Sequence, residues 1–236
     1  MNGTYLAASG ASALFDAMDT AANNLANANT PGYRRFMSVM QSVSGNGSPY
    51  DYAASDASPT LDMSQGPLQA TNNPLDVAIT GDAFLAVQGP EGTAYTRDGQ
   101  LQVGPDGTLT AAGYPLLKPD GSTITLPPGN VVIAGDGSIS VNGSPVAQLM
   151  LADPAGIQML PAGGNLYQPQ GDATLPQAQQ GTSQIHQGYL ENPTGNETAT
   201  MISMMDAMRG YESAMKAVSA IDNNQNQAIQ AFTLNA

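Results

Sequence analysis

With 236 residues, 41% of them apolar, the chain can bury a core as one large domain or two small ones. Its 19 Asp and Glu against 6 Lys and Arg give a formal net charge of -13, so phosphate backbones and anionic membrane surfaces are repelled and nucleic acid is a poor partner. Without Cys there is no disulfide framework or thiolate metal site, and the one histidine, His186, cannot supply a histidine cluster.

The N-terminus, "MNGTYLAASG", lacks a basic segment followed by an apolar run, which argues against a Sec-type signal peptide. No apolar stretch of about 18 residues follows, so direct membrane insertion is not expected. From there Ala7, Ala11, Leu14, Met18, Ala21, Leu25 and Ala28 recur in alternating steps of four and three, a heptad seam. Most members are Ala, which bury little area but admit a neighbouring helix closely. Such a helix needs partners to be stable.

The stretch "NNLANANTPGYRR" (Asn23 to Arg35) closes that helix. Pro31 disfavours helix at Thr30, and Pro31 with Gly32 fits the central positions of a type II turn leading to Tyr33. The amides of Asn23, Asn24, Asn27 and Asn29 suit exposed backbone near a helix end, and Arg34 and Arg35 suit carboxylates on a neighbour. Residues 44–60, rich in Ser, Gly, Pro and Ala without a period, suggest an extended or mobile linker.

From about Thr71 to Gln187 the pattern changes to short β-branched or alternating segments between Asp98-Gly99, Asp106-Gly107, Asp120-Gly121, Asp136-Gly137 and Asn142-Gly143, dipeptides that supply positive φ. Helical periodicity returns in Met204, Met208, Tyr211, Met215, Val218, Asp222, Gln225, Ile229 and Phe232, where Asp222 and Gln225 interrupt the seam and can fix register. Pro193, then Thr194 and Glu197 as a capping box, predict a helix from about Gly195 to Phe232. The expected fold class is α+β. Long terminal helices (1–43 and 188–236) form a coiled-coil-like core, joined through a linker and extended segment (44–70) to an inserted β-rich domain (71–187).

Catalytic chemistry finds little footing. Asp98, Asp106, Asp120 and Asp136 each precede Gly, where Asp forms turns, and their spacings of 8, 14 and 16 residues lack the fixed period of a calcium-binding array. No Walker loop, GxSxG or HExxH occurs, and no cofactor is expected. "MISMMDAM" (Met201 to Met208) suits an adaptable packing surface better than a soft-metal site. Arg97 is either a solvated residue or a donor to a carboxylate on another subunit.

"NNLANANTPGYRR" closely resembles the N-terminal motif of the bacterial flagellar rod and hook proteins. Further matches follow in the family's order: "GPLQATNNPLDVAITGDAFLAVQ" (66–88), "AYTRDGQLQVGPDGTL" (94–109) and "QGYLENPTGNETATMISMMDAMRGYESAMKAVSAID" (187–222). The resemblance implies a structural subunit, not an enzyme, exported unfolded by the flagellar type III apparatus without a cleaved signal peptide. It implies a place in the basal-body rod, with other copies of itself and neighbouring rod and hook proteins as partners. It also makes the seam residues the assembly interface and Asn24, Asn27, Thr30, Pro31, Gly32 and Tyr33 the turn where the helix leaves the core. Two departures stand out: Ala83-Phe84-Leu85 where the family shows Gly-Phe-Phe, and Asn192 to Asn196 where it shows Ser-Asn-Val-Asn. The short connection from Arg35 to Gly66 favours a proximal-rod member, while "AYTRDG", "GGNLYQ" and "QGYLE" also resemble distal-rod members. The rival class is a secreted β-domain enzyme or glycan-binding module on a helical stalk.

Overall fold

Two α-helices are present among the described residues of the computed structural model, which are 2–44, 52–171, 174–179 and 181–234. Helix α1, Asn2–Ala26, ends as Asn27 O accepts Thr30 N at 3.0 Å, one residue ahead of Pro31. Helix α2, Glu197–Leu234, runs 38 residues, roughly 57 Å at 1.5 Å per residue. Its N-cap is Asn196, not Thr194: Asn196 Oδ1 accepts the amides of Thr198 at 2.9 Å and Ala199 at 3.4 Å. Thr194 is engaged elsewhere, its amide donating to Tyr33 O and its Oγ1 accepting from Arg35 N, so the helix starts two residues later. No helix among the described residues is long and apolar enough to cross a membrane.

The chain divides into two units. The first takes the described residues of 1–26, 36–59 and 196–236, and the second those of 27–35 and 60–195. The first holds both helices and most of a two-stranded sheet of Phe36–Ser44 with Tyr52–Leu61, whose last two residues belong to the second. Composition suggests a linker over 44–60, but from Tyr52 onward the chain is strand. "FMSVMQSVS" supplies the β-formers, and ladder hydrogen bonds need none from its Ala- and Ser-rich partner. Residues 45–51 lie outside the described residues.

The second unit is built from antiparallel strands. Its largest sheet orders Leu151–Ala152, Phe84–Gly89, Gly92–Thr96, Leu166–Pro169 and Met159–Gly163. Two three-stranded sheets cover 102–115 and 131–148, and two pairs join Val77–Thr80 to Gln184–Gln187 and Leu68–Ala70 to Tyr189–Glu191. Val77, Ile79, Leu85, Leu109, Ile124 and Ile139 belong to a single apolar core. One turn module recurs in "GPDGT", "KPDGS" and "AGDGS". In each, the Asp Oδ1 accepts the amide two residues on (Thr108, Ser122, Ser138) and the following Gly takes φ of 80–86°. The neighbouring hydroxyl and then that amide hold the carboxyls of Asp106, Asp120 and Asp136 below the usual range. The candidate acids are therefore turn formers.

Asn142 and Gly143, at φ 52° and 81°, form a primed hairpin turn with favourable residues. The corresponding turn at Ala112 and Gly113 places alanine at φ 51°, a conformation that costs a residue with Cβ and no local hydrogen bond about 1 kcal/mol. Replacing Ala112 with Asn should therefore raise the stability of the β unit by about 1 kcal/mol in chemical denaturation; an unchanged or lowered midpoint contradicts this reading of the turn.

Candidate assembly surface

Within the first unit α1 and α2 pack along small residues. Ala11, Ala13 and Ala21 of α1 are buried and Leu14, Met18 and Leu25 half-buried, while α2 presents half-buried Met204, Ala207, Gly210, Tyr211, Ala214 and Val218. At Gly210 a Cβ would lie 3.2 Å from both Leu14 Cδ atoms, so the helix tolerates a poor helix former where Leu14 seats. Phe15 meets the Tyr211 ring with centroids 6.2 Å apart.

The α2 seam read from sequence straddles the border of this contact. Met204, Tyr211 and Val218 turn towards α1, whereas Met208 and Met215 are 53% and 41% exposed, beside Met201, Ile202 and Met205 at 47–50%. The side chains of Ala7, Ile229 and Phe232 lie outside the described residues, and Ala28 sits in the turn after α1. Packing α1 against α2 thus leaves five large apolar side chains of α2 facing solvent. Free surfaces of this kind mark interaction sites.

The turn residues are held within each unit. In the first, Asn24 clamps the backbone of Phe36, its Oδ1 accepting Phe36 N at 2.9 Å and its Nδ2 donating to Phe36 O at 2.7 Å. In the second, Tyr33 N donates to Thr30 O at 3.1 Å around Pro31 and Gly32, with Gly32 at φ 68°, the geometry of a type II turn. Asn27 Oδ1 accepts the Thr30 hydroxyl at 3.3 Å, and Pro31 O accepts Asn165 Nδ2 at 3.0 Å. A Cβ on Gly32 would fall 2.0 Å from Arg97 O, so glycine is required by contact as well as by φ. Tyr33 is buried, which raises its phenol pKa.

Glu191 is the hub of that second unit. Its Oε1 faces Arg34 Nη2 at 3.3 Å and accepts Gly66 N at 2.9 Å, its Oε2 accepts Arg97 Nε at 3.0 Å, and its backbone oxygen accepts Gly32 N at 2.8 Å. All three charged side chains are buried. Arg97 spends its remaining donors on Ile79 O, Gly81 O and Ala83 O and lies over the Phe84 ring, so it is neither solvated nor directed at another subunit. Burial pushes its pKa down to about 10, with Arg34 adding to the fall and Glu191 opposing it, and the guanidinium remains charged at neutral pH. Arg34 also donates to Ser64 O, and its amide donates to the Tyr167 hydroxyl at 2.9 Å. Arg35 pairs with Asp62 at 2.7 Å. The arginines expected to reach a neighbour find carboxylates within their own chain.

Sequence reasoning did not single out Glu191 or Tyr167. The available signal was a carboxylate closing the strand "YLE" beside buried Leu190, in a chain whose few cations must choose among many acids. Surface grooves open in the β unit. One of about 550 Å³ is lined by Leu61, Met63, Asp82 and residues 153–159, and one of about 370 Å³ by Asp136, Leu149 and Gln177 among others. Among the described residues no cluster of three or more His, Cys, Asp or Glu could hold a metal ion, and His186 faces the Tyr189 ring edge-on.

Three family descriptions match the chain: "Flagella basal body rod protein" over residues 5–34, "Flagellar hook protein FlgE/F/G D1 domain" over 78–141, and "Flagellar basal body rod FlgEFG protein C-terminal" over 186–231. Arg34, Arg97 and Glu191 fall one in each, so the buried cluster ties the three matched segments together. The flagellar basal-body rod proteins FlgF of Salmonella typhimurium and of Escherichia coli are each 32% identical over 249 residues, covering 98% of both chains. FlgG of Buchnera aphidicola subsp. Baizongia pistaciae is 30% identical over 250 residues, covering 92% of this chain and 93% of its own. The similarity is thus fuller to FlgF, with FlgG second.

Replacing Glu191 with Ala leaves two buried guanidinium groups without their carboxylate, which should cost the β unit about 3–5 kcal/mol in denaturant unfolding. A loss below about 1 kcal/mol, the range of exposed pairs, would remove Glu191 from its role as hub.

Proposed function

Because the chain belongs to the family of flagellar basal-body rod proteins, and is a structural subunit of the rod and not an enzyme, we propose that its two terminal helices build the axial tube. The observation that carries this reading is the exposed Met201, Ile202, Met205, Met208 and Met215 face of α2, which packing against α1 leaves free. Met side chains repack to suit more than one neighbour, which fits a subunit that meets copies of itself and other rod and hook proteins. The Ala-rich contact between the helices buries little area, so much of their order is gained on assembly, where partner helices supply the rest. The similarity to FlgF favours the proximal part of the rod. Passage unfolded through the flagellar export apparatus is consistent with the absence of cysteine, since no disulfide can hold the chain folded. The assembled tube transmits torque and passes later export substrates. The enzyme or glycan-binding alternative finds no support in the family match.

Deletion of the gene, followed by electron microscopy of purified basal bodies, tests this. Absent or prematurely ended rods with loss of motility are expected, and a short stub would place the subunit proximally. Intact flagella would overturn the rod reading.

A further inference from the structure

The helical pair carries two outward rows with the same spacing and complementary character. On α1, Ala8, Ser12, Phe15, Asp19, Ala22 and Ala26 are exposed at steps of four and three. On α2, Met201, Met205, Met208, Glu212 and Met215 are exposed at the same steps. Both repeats therefore continue along one helix face, and among the described residues each stays largely exposed, with Phe15 reaching Tyr211 from the edge of its row. One row is small side chains around a single ring, the other large and adaptable ones, the sizes that interdigitate.

Charge sorts the two rows further. Three of the six Lys and Arg, Arg34, Arg35 and Arg97, are consumed in ion pairs inside the chain. Of the others Lys118 lies in a β turn beside Asp120, and Arg209 and Lys216 are exposed on one flank of the Met row. The exposed face of α1 carries Asp16 and Asp19, the latter in a 3.5 Å contact with Asn23. In a chain of net charge -13, contact between copies is repulsive except where these cations are used. Asp206 lies further round α2 from the Met row than Arg209.

The geometry points to a contact, resting on the rod reading above, in which the Met201–Met215 row of one copy docks antiparallel on the Ala8–Ala26 row of the next. A parallel docking matched at its ends would set Asp19 against Glu212. The antiparallel one sets Glu212 against Ser12 and Met208 against Phe15, and brings Arg209 to the same side and level as Asp16. The two rows differ, so the contact pairs unlike surfaces, α2 of one copy with α1 of another.

The absence of cysteine makes the test direct. Two differently tagged full-length copies, one Ser12→Cys and the other Glu212→Cys, are produced together in flagellated cells, and purified basal bodies are oxidised. The expected product is a mixed dimer at least about fivefold above either same-site dimer. Arg209→Asp in the Glu212→Cys copy should reduce it several-fold, and Asp16→Arg in the other copy should restore it, which also shows that the variants fold. Same-site dimers alone, a cross-link only to a different rod protein, no cross-link at all, or indifference to Arg209→Asp would overturn the pairing. Recovery of the tagged chain in basal bodies separates the two readings: its presence without the mixed dimer sinks the pairing alone, and its absence sinks the rod reading.

Discussion

A carboxylate buried between two guanidinium groups decides how the β unit closes. Glu191 contributes one side chain, yet it receives Arg34, Arg97 and the amide of Gly66, while its backbone oxygen receives Gly32. Desolvating any one of these charges alone would be costly, and the single carboxylate offsets both guanidinium groups by charge, while Arg34 Nε and Nη2 make no hydrogen bond among the described residues. Four stretches of chain, at 32–34, 66, 97 and 191, are thereby fixed at one point. The other contacts of the 27–35 segment follow from that point: Gly32 can lie against the Arg97 carbonyl only without a Cβ, and Tyr167 can receive the Arg34 amide only once that arginine is seated.

The helical unit works by a different physics. Its two helices meet through Ala, Gly and half-buried Leu and Met, a contact that permits close approach but removes little apolar surface from water. The larger apolar side chains of α2 face outward. On the proposed assembly, neighbouring helices would cover this outward surface and add the burial that the pair lacks by itself. The β unit, by contrast, owns a continuous apolar core and folds around its own ion cluster.

Local rules were legible in the sequence where short-range chemistry sets the outcome. The Asp-Gly turns, the Pro31-Gly32 turn and both helices depend on neighbours a few residues away, and periodicity or turn chemistry displays them. What could not be read was partner choice. Nothing local tells Arg97 to pair with Glu191 instead of solvent, or sends Thr194 to the backbone near Tyr33 and leaves capping to Asn196. The strand at Tyr52–Leu61 is similar, because its Ser- and Ala-rich sequence is held by a ladder to Phe36–Ser44 and not by its own propensity. The α2 seam was found, but a 3.5-residue repeat drawn on sequence does not say which edge meets α1, and Met208 and Met215 fell on the far side.

The most direct test of the Glu191 hub is amide hydrogen exchange at Gly32 and Gly66, the two backbone donors to Glu191, in the native chain and in Arg97→Met. If the cluster is one cooperative unit, losing Arg97 should loosen both glycines together while core amides such as Leu109 and Ile124 stay protected. Unchanged protection at Gly32 and Gly66 would mean that the segment is held by its turn and apolar packing, and that the buried charges are passengers.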